Sequence, residues 1–251
     1  MSDTTAKQAK LDAVFAIKLK KVCQFKRKYV SLYPKIRVNR QKKPLFCSDY
    51  DISNDMNIAI VKYNAGNIYS VVNAVKRQGL DPVLTDDAAV LKKADRVIFP
   101  GQGEASSAMR YLHEHGLVEV IRSLTQPVLG ICIGQQLLCR HSEEGDVDCI
   151  GVFDVDVKRF VPQRHEDKVP AMGWNSITDL KTTLFHGLTA PYVYFVHSYY
   201  VPLCEETIAT ADYILPYSAS LHKDNFYACQ FHPEKSGKVG ETIIRNFIEM
   251  K

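Results

Sequence analysis

Several features that define common protein classes are missing from this 251-residue sequence. No apolar run approaches the roughly 20 residues that a membrane-spanning helix needs. The seven cysteines are scattered and form no Cys-x-x-Cys pair, which argues against a zinc site and a disulfide framework and is typical of a reducing compartment. We therefore expect a cytoplasmic protein that holds no metal and needs no cofactor.

Residues 1–55 contain no glycine and differ from the rest of the chain in charge. They hold 13 Lys or Arg against 5 Asp or Glu, whereas residues 56–251 hold more acidic than basic side chains. A basic stretch of this kind is typical of a nucleic-acid arm, a targeting peptide or a poorly structured extension. We favour the extension, because Asp3 and Asp12 argue against a targeting peptide and because Met56, just before the first convincing strand, is a natural start for translation.

Short apolar runs alternate with helical patterns in the remaining sequence. Residues 58–61, 83–84 and 97–99 are predicted strands, and apolar residues at helical spacing follow the first of them. Beyond residue 152 the pattern becomes rich in strands. We predict an α/β fold of three layers, in which a mostly parallel central sheet has helices on both faces, with an additional strand-rich C-terminal portion. Ligands of such sheets bind at the carboxyl ends of the strands.

One short buried strand runs directly into a helix within residues 128–138, and Cys132 lies at the junction. Gly130 and Gly134 flank it two positions away on each side, which is typical of a nucleophile elbow, a turn too tight for Cβ atoms at those positions. A helix N-terminus favours the thiolate, the form of cysteine that attacks carbonyl carbon. The alternative is a small buried side chain, but the glycine pair favours the nucleophile.

Two other segments offer partners for this cysteine. The loop 100–104 follows a strand and contains two glycines, so it is either half of an oxyanion hole or a simple turn. His232 and Glu234 lie two apart in a segment that reads as extended, which points their side chains the same way. In that geometry the carboxylate orients the imidazole while the other ring nitrogen addresses the thiol.

Three further segments have more than one interpretation. Glu144 or Glu143 either binds a substrate ammonium or belongs to a solvated acidic helix end. Residues 169–175 read as an apolar loop that holds the only tryptophan; such a loop is a protein contact if exposed and a cap on the core if buried. His197, in an aromatic strand, reads as a hydrogen-bonded structural histidine.

Together these segments resemble the class I (triad) glutamine amidotransferases, and within that class the glutaminase subunits of imidazole glycerol phosphate synthase, from histidine biosynthesis. The elbow and the His-Pro-Glu run are shared by the whole class. The segments that point to the subgroup are residues 63–67, 100–104, 168–175, 195–199 and 231–236. The resemblance covers residues 56–251. Two departures are the basic extension and the residues Ile133 and Gln135, where Leu and Met are usual; neither changes the triad.

The resemblance implies a catalytic triad in which Cys132 is the nucleophile, His232 is the general base and then acid, and Glu234 orients the histidine. It implies further roles for six residues: substrate binding by Gln136, Glu144 and Ser198, and an oxyanion hole from Gln102, Gly103 and Ile133. Our candidate contact with a partner is the loop of Met172, Gly173, Trp174 and Asn175.

The implied reaction is hydrolysis of glutamine to glutamate and ammonia through a thioester. Because the chain shows no second domain that would accept the ammonia, we expect a heterodimer with a cyclase subunit, a (β/α)8 barrel in this family, and neither nucleic acid nor membrane as a partner. Three alternatives stay open: a glutaminase that serves anthranilate or GMP synthesis, a non-catalytic binding protein on the same scaffold, and a nucleic-acid binder that uses the basic extension.

Overall fold

The computed structural model describes residues 56–63, 68–101 and 103–250. The predicted extension at residues 1–55, the predicted turn at residues 64–67 and the oxyanion candidate Gln102 lie outside these ranges. None of the helices within them combines the length and the apolar character needed to cross a membrane.

Strands and helices alternate first, and strands dominate afterwards. The strands are β1 (Ile58–Val61), β2 (Val83–Thr85), β3 (Arg96–Phe99), β4 (Val128–Ile131), β5 (Cys139–Ser142), β6 (Val147–Asp148), β7 (Phe153–Arg159), β8 (Ala171–Ser176), β9 (Tyr192–His197), β10 (Tyr199–Tyr200), β11 (Thr207–Tyr213), β12 (Leu215–Lys223) and β13 (Phe226–Cys229). The α-helices are α1 (Ile68–Arg77), α2 (Ala88–Lys93), α3 (Ala105–Glu114), α4 (Leu117–Arg122), α5 (Ile133–Leu138) and α6 (Gly237–Glu249).

The central sheet has seven strands in the order β11-β12-β13-β4-β3-β1-β2. Strands β2, β1, β3, β4 and β13 are parallel to their neighbours among themselves, and β12 and β11 add an antiparallel edge. The mostly parallel central sheet is therefore confirmed. Because parallel neighbours point the same way, the loops that follow β3, β4 and β13 meet at one edge of the sheet.

Strand β1 shows how the sheet separates two layers of helices. Ile58 and Ile60 pack in one apolar cluster with α1 and α6, whereas Ala59 and Val61 pack in a second cluster with α2, α3, α4 and α5. Alternate residues of a strand face opposite sides of the sheet. The prediction of helices on both faces is therefore confirmed.

The strand-rich second half forms two smaller sheets as well as part of the central one. One has four strands in the order β10-β7-β5-β6, and the other is a two-stranded ribbon of β8 and β9. The ribbon corrects the predicted loop at residues 169–175, because residues 171–176 pair along their whole length with the aromatic strand β9. Gly173 and Asn175 have low strand propensity, so only the cross-strand partner makes this segment a strand.

The segment after the elbow helix also differs from the prediction. The helix ends at Leu138, and residues 139–142 form β5, which pairs with β6 in an antiparallel hairpin. Glu143 and Glu144 therefore lie in a hairpin turn and not at a helix end.

Candidate active site

Cys132 lies between the end of β4 and the start of α5 in an uncommon backbone conformation, with φ 55° and ψ −110°. Its N–H donates to the carbonyl of Cys229 on the neighbouring strand β13, at 2.7 Å. A non-glycine residue with positive φ is strained and persists where the surrounding structure holds it. This is the geometry expected of a nucleophile elbow, and Cys132 remains 8% exposed at the cavity described below.

The two glycines that flank Cys132 are required by close contacts of the backbone. A Cβ atom on Gly134 would lie 2.0 Å from the carbonyl oxygen of Phe99, at the end of β3. A Cβ atom on Gly130 would lie 3.0 Å from the carbonyl carbon of Gly134. Gly130 is therefore required within the turn, as the sequence pattern indicated, whereas Gly134 is required because the elbow packs directly on the neighbouring strand.

His232 and Glu234 are in contact, with Nδ1 of the ring 2.8 Å from Oε1 of the carboxylate and both side chains at most 2% exposed. The predicted extended segment is wrong, because residues 233–235 form a 3-10 turn that brings the two side chains together. Ser236 fixes this turn: its hydroxyl donates to the carbonyl of His232 at 2.7 Å and accepts from the N–H of Tyr194 at 3.0 Å.

Cys132 is one of the two side chains that set the protonation state of His232. Among the described residues, Nε2 of His232 has no hydrogen-bond partner although it is buried. Burial lowers the pKa of His232, while the Cys132 thiol and the Glu234 carboxylate raise it by more, to about 9. The ring therefore carries a proton at neutral pH.

Cys132 and His232 share one cavity of about 460 Å³. Its wall contains most of the side chains that the sequence singled out. It is lined by Gly103, Cys132, Ile133, Gln136, Glu144, Pro170, Tyr194, Val196, His197, Ser198, Tyr199, His232 and Lys235. Glu234 lies behind His232, and Gln102 is not described. Within the described ranges, no group of three His, Cys, Asp or Glu side chains is arranged to hold a metal ion.

Gln136 is fixed by a neighbour that the sequence did not single out. Its side-chain amide donates to Oε1 of Gln230 at 2.9 Å and to the carbonyl of Tyr199 at 3.1 Å. The amide of Gln230 in turn lies 3.8 Å from Sγ of Cys132. Gln230 directly precedes the predicted Phe231–Ser236 motif in sequence, but only the pairing of β13 with β4 brings it to the elbow.

The two candidate acids at the β5–β6 turn have different surroundings. Glu144 lines the cavity, and its Oε2 accepts the N–H of Ala105 at 2.9 Å. Burial and the nearby Glu104 raise the pKa of Glu144 against the lowering by that N–H. Glu143 is exposed and is paired with Lys158 at 3.2 Å. Only Glu144 can therefore reach a molecule in the cavity.

His197 lines the cavity but has partners on both ring nitrogens. Nδ1–H donates to the carbonyl of Tyr199 at 2.7 Å, and Nε2 accepts from the hydroxyl of Tyr217 at 3.3 Å. Burial lowers the pKa of His197 to about 4, opposed by the Tyr199 hydrogen bond and reinforced by the charge of His232. His197 is thus neutral and hydrogen-bonded, as the sequence indicated for a structural histidine.

The loop after β3 lies against the start of the elbow helix. Gly101 has no room for a Cβ atom, which would fall 1.9 Å from Cγ2 of Ile133. The hydroxyl of Tyr63 donates to the carbonyl of Pro100 and holds the loop from below. Gly103 has φ 148°, in the region that favours glycine, and lines the cavity. The backbone of this loop can therefore approach a ligand held at Cys132.

The four predicted partner-contact residues lie outside this cavity, on the β8–β9 ribbon. Met172 and Trp174 are 65% and 56% exposed. Gly173 and Asn175 face the other side, where Asn175 donates to the carbonyl of Asp212 at 2.9 Å. All four also line a separate cleft of about 300 Å³. The exposed members favour a protein contact over a cap on the core.

Comparison with known proteins agrees with this geometry. The chain belongs to the class I glutamine amidotransferases, whose family model matches residues 56–250. Among solved structures, one described as a glutamine amidotransferase matches with a TM-score of 0.61 and 20% identity, over 76% of this chain and 97% of that one. A glutamine amidotransferase from Thermotoga maritima matches with a TM-score of 0.52 and 17% identity, over 76% and 82% of the two chains. At these identities the structures support the fold alone.

Within that class the chain belongs to the family of HisH subunits of imidazole glycerol phosphate synthase. It is 62% identical to the Bacteroides thetaiotaomicron subunit over 196 residues, which are 78% of this chain and all of that protein. It is 63% identical to a Bacteroides fragilis subunit over the same length and coverage. The Escherichia coli K12 subunit is 42% identical over 198 residues, again 78% of this chain and all of the relative.

Proposed function

We propose that this chain is the glutaminase subunit of imidazole glycerol phosphate synthase and delivers ammonia from glutamine to a separate cyclase subunit. The observation that carries the proposal is the cavity that Cys132 and His232 share, with Glu234 hydrogen-bonded behind the ring. This arrangement supports the roles of nucleophile, base and orienting carboxylate in acyl transfer.

In the first half of the reaction the thiolate of Cys132 attacks the side-chain amide carbon of glutamine. A C–S bond forms, and the carbonyl oxygen becomes an oxyanion. His232 then gives its proton from Nε2 to the departing nitrogen, the C–N bond breaks, and ammonia leaves behind a thioester. Glu234 stabilises the charged ring and keeps Nδ1 occupied, so that Nε2 faces the reacting atoms.

In the second half His232 acts as a base. Its neutral Nε2 takes a proton from a water molecule, and the resulting hydroxide attacks the thioester carbon. The C–O bond forms and the C–S bond breaks, which releases glutamate and restores the thiolate beside a protonated ring. Each turnover therefore returns the proton to the nitrogen from which it came.

The oxyanion needs hydrogen-bond donors on the far side of the carbonyl. We assign the N–H of Ile133, which directly follows the nucleophile, and N–H groups of the loop that contains Gln102 and Gly103. Each preorganised donor of this kind contributes about 3 kcal/mol to the lowering of the barrier. The conformation of that loop would thus control the rate over orders of magnitude.

Glutamine itself is bound by groups on the cavity wall. We assign its ammonium to Glu144, whose Oε1 is left for the substrate because Oε2 accepts the N–H of Ala105. Gln136 and Ser198 line the same cavity and offer polar atoms to the rest of the substrate. Because these contacts fix the ammonium end, they also set the distance from the amide carbon to Cys132.

The ribbon of β8 and β9 is the proposed contact with the cyclase. In the antiparallel ladder Met172 is opposite Val196, and Trp174 is opposite Tyr194. Val196 and Tyr194 line the cavity, whereas Met172 and Trp174 are exposed. An apolar stripe therefore runs from the cavity to the surface, and exposed Trp and Met are enriched at protein interfaces.

The decisive test mixes the chain with a cyclase subunit, glutamine and the nucleotide substrate, and measures glutamate release. We expect release to need both subunits for full rate, and Cys132→Ser to abolish it. Cys204→Ser, which changes a half-buried cysteine away from the cavity, serves as the matched control. If a glutamine-analogue electrophile fails to label Cys132 even with the cyclase present, the proposal is wrong.

The partner contact is tested by Trp174→Ala, with Val83→Ala as an exposed apolar control on the edge strand β2. Truncating a buried aromatic anchor at an interface costs about 2 kcal/mol or more, so we expect roughly thirty-fold weaker cyclase binding. Calorimetry of the complex measures it. Equal affinity of the two variants for the cyclase would show that the β8–β9 ribbon is not part of the interface.

A further inference from the structure

The turn that carries Glu144 is held in an unusual backbone conformation. Glu144 is followed by Gly145 and Asp146, which both have positive φ, at 78° and 49°. A Cβ atom on Gly145 would lie 2.6 Å from Cβ of Ser106, so the turn packs closely on the start of α3. The N–H of Glu144 donates to the hydroxyl of Ser142 at 3.1 Å. Small backbone changes here would move the Glu144 carboxylate.

His141 bridges the two sides of this hairpin. Its Nε2 lies 3.2 Å from Asp146 in the turn, and its Nδ1 lies 2.9 Å from Asp148 on β6. Both ring nitrogens can donate only when the imidazole is protonated. The protonated ring therefore ties a positive-φ residue, two positions after Glu144, to the regular part of the hairpin.

We propose that His141 is a positioning residue for substrate binding: its two contacts fix the turn from which Glu144 reaches the cavity. The inference rests on the proposed role of Glu144 in holding the ammonium of glutamine. His141 lies outside the cavity lining and touches no reacting atom, so its loss would weaken binding more than chemistry.

The surroundings of the ring give the contact a definite pH dependence. The groups around it are Asp146 and Asp148 on its own hairpin and Asp156, which lies opposite His141 in the ladder with β7. Arg140 pairs with Asp156 at 2.9 Å, and Glu143 pairs with Lys158 at 3.2 Å. The two aspartates in contact raise the pKa of His141 against a smaller effect of burial.

A raised pKa means that the protonated contact is complete below the ordinary histidine pKa, about 6.5. The contact is lost as pH rises through the higher value in the folded protein. Glutamine binding should therefore depend on His141 most strongly at low pH, and the dependence should fade as the solution becomes alkaline.

The experiment measures kcat and KM for glutamine in the complex with the cyclase, for the wild type and for His141→Ala, across about pH 6 to 9. At the acidic end we expect KM to rise about three-fold, a modest change because the aspartates of both ion pairs are exposed, with kcat within about two-fold. The ratio of the two KM values should approach one as pH rises. Asp146→Asn, which tolerates positive φ, should show a smaller rise of the same kind.

Arg140→Gln is the matched control, because it removes two ion pairs, with Asp154 and Asp156, from the neighbouring position of the same strand. We expect its KM to equal that of the wild type. A KM ratio that does not change with pH, a loss confined to kcat, or an equal effect of Arg140→Gln would each overturn the role of His141. Turnover by the wild type, measured first, tests the proposed function separately.

Discussion

The contact between His232 and Glu234 helps to set the protonation state of the ring. The carboxylate lies 2.8 Å from the ring and is 2% exposed, so water screens it little. Its charge helps to hold on the ring the proton that the departing ammonia needs. A side chain of the same shape as Glu234 but without its charge should therefore inactivate the site and leave the protein folded.

Glu234→Gln makes that change. An amide at this position removes the stabilisation of the imidazolium and favours the wrong ring tautomer, which in comparable triads costs about 10⁴-fold. We expect kcat to fall at least about 100-fold, with KM little changed. Glu241→Gln, at an exposed carboxylate on α6, should be neutral. Saturation kinetics of both variants with the cyclase present measure the difference; comparable kcat values would refute the role of Glu234.

The pKa of His232, raised to about 9, predicts where the rate of the reaction falls on the alkaline side of its pH profile. Below that pH the ring carries the proton that ammonia needs to depart, and above it the proton is lost. We expect kcat/KM for glutamine, which reports the groups of the free enzyme, to decline as pH rises through about 9. In Glu234→Gln the residual activity should decline at lower pH, because the carboxylate is one cause of the raised pKa. If the alkaline decline of this variant fell at the same pH as in the wild type, the decline would belong to another titrating group.

Individual residues were predictable where a local pattern has a chemical meaning. Cys132 follows from its glycine neighbours, and His232 with Glu234 follows from their spacing, although a 3-10 turn, not an extended segment, brings them together. Gln230 and His141 have no such local pattern. Their partners come from strand pairing and from a hairpin turn, which the sequence alone does not fix.

The elbow depends on three elements that meet at one point. Strand β4 ends just before Cys132, α5 begins just after it, and the carbonyl of Phe99 at the end of β3 lies against Gly134. The loop after β3, which carries Gly101, packs on Ile133 in the same region. The nucleophile and the proposed oxyanion loop are thus positioned by one set of backbone contacts.

Gly134→Ala tests this arrangement. The new Cβ would lie 2.0 Å from a backbone carbonyl oxygen, which cannot move aside as a flexible side chain would. We expect a loss of about 3 kcal/mol in the free energy of unfolding, measured by urea denaturation, together with a loss of kcat. Gly116→Ala, at φ 63° with open space around it, should cost about 1 kcal/mol and leave kcat unchanged. Equal costs would show that packing at the elbow is loose.

Elements were predictable in proportion to how much of their stability is local. The parallel strands and α1 show the expected apolar periodicity, and their helices cover both faces of the sheet. The sequence of strand β8 predicts a loop, because its residues include glycine and asparagine, which rarely favour strands. It is a strand because β9 supplies the hydrogen bonds.

The need to pass ammonia to a partner relates the cavity to the exposed surface of the molecule. Ammonia released at Cys132 is useful only if a partner receives it, and an apolar stripe runs from the cavity to exposed Met172 and Trp174 on the β8–β9 ribbon. The family model matches residues 56–250, and the Bacteroides thetaiotaomicron relative aligns over 196 residues of the chain. The basic residues 1–55 take no part in this account, so we propose that residues 56–251 carry the whole activity.

Deleting residues 1–55 tests that proposal directly. We expect residues 56–251 to fold, to bind the cyclase and to release glutamate at the rate of the full chain, because every contact used above lies within them. Binding of both forms to duplex and single-stranded nucleic acid, measured at several salt concentrations, provides the contrast. If the 13 basic residues form a nucleic-acid arm, only the full chain should bind nucleic acid, and its affinity should fall steeply as the salt concentration rises. That result, or a loss of glutaminase rate on deletion, would give the extension a function that the rest of the protein does not require.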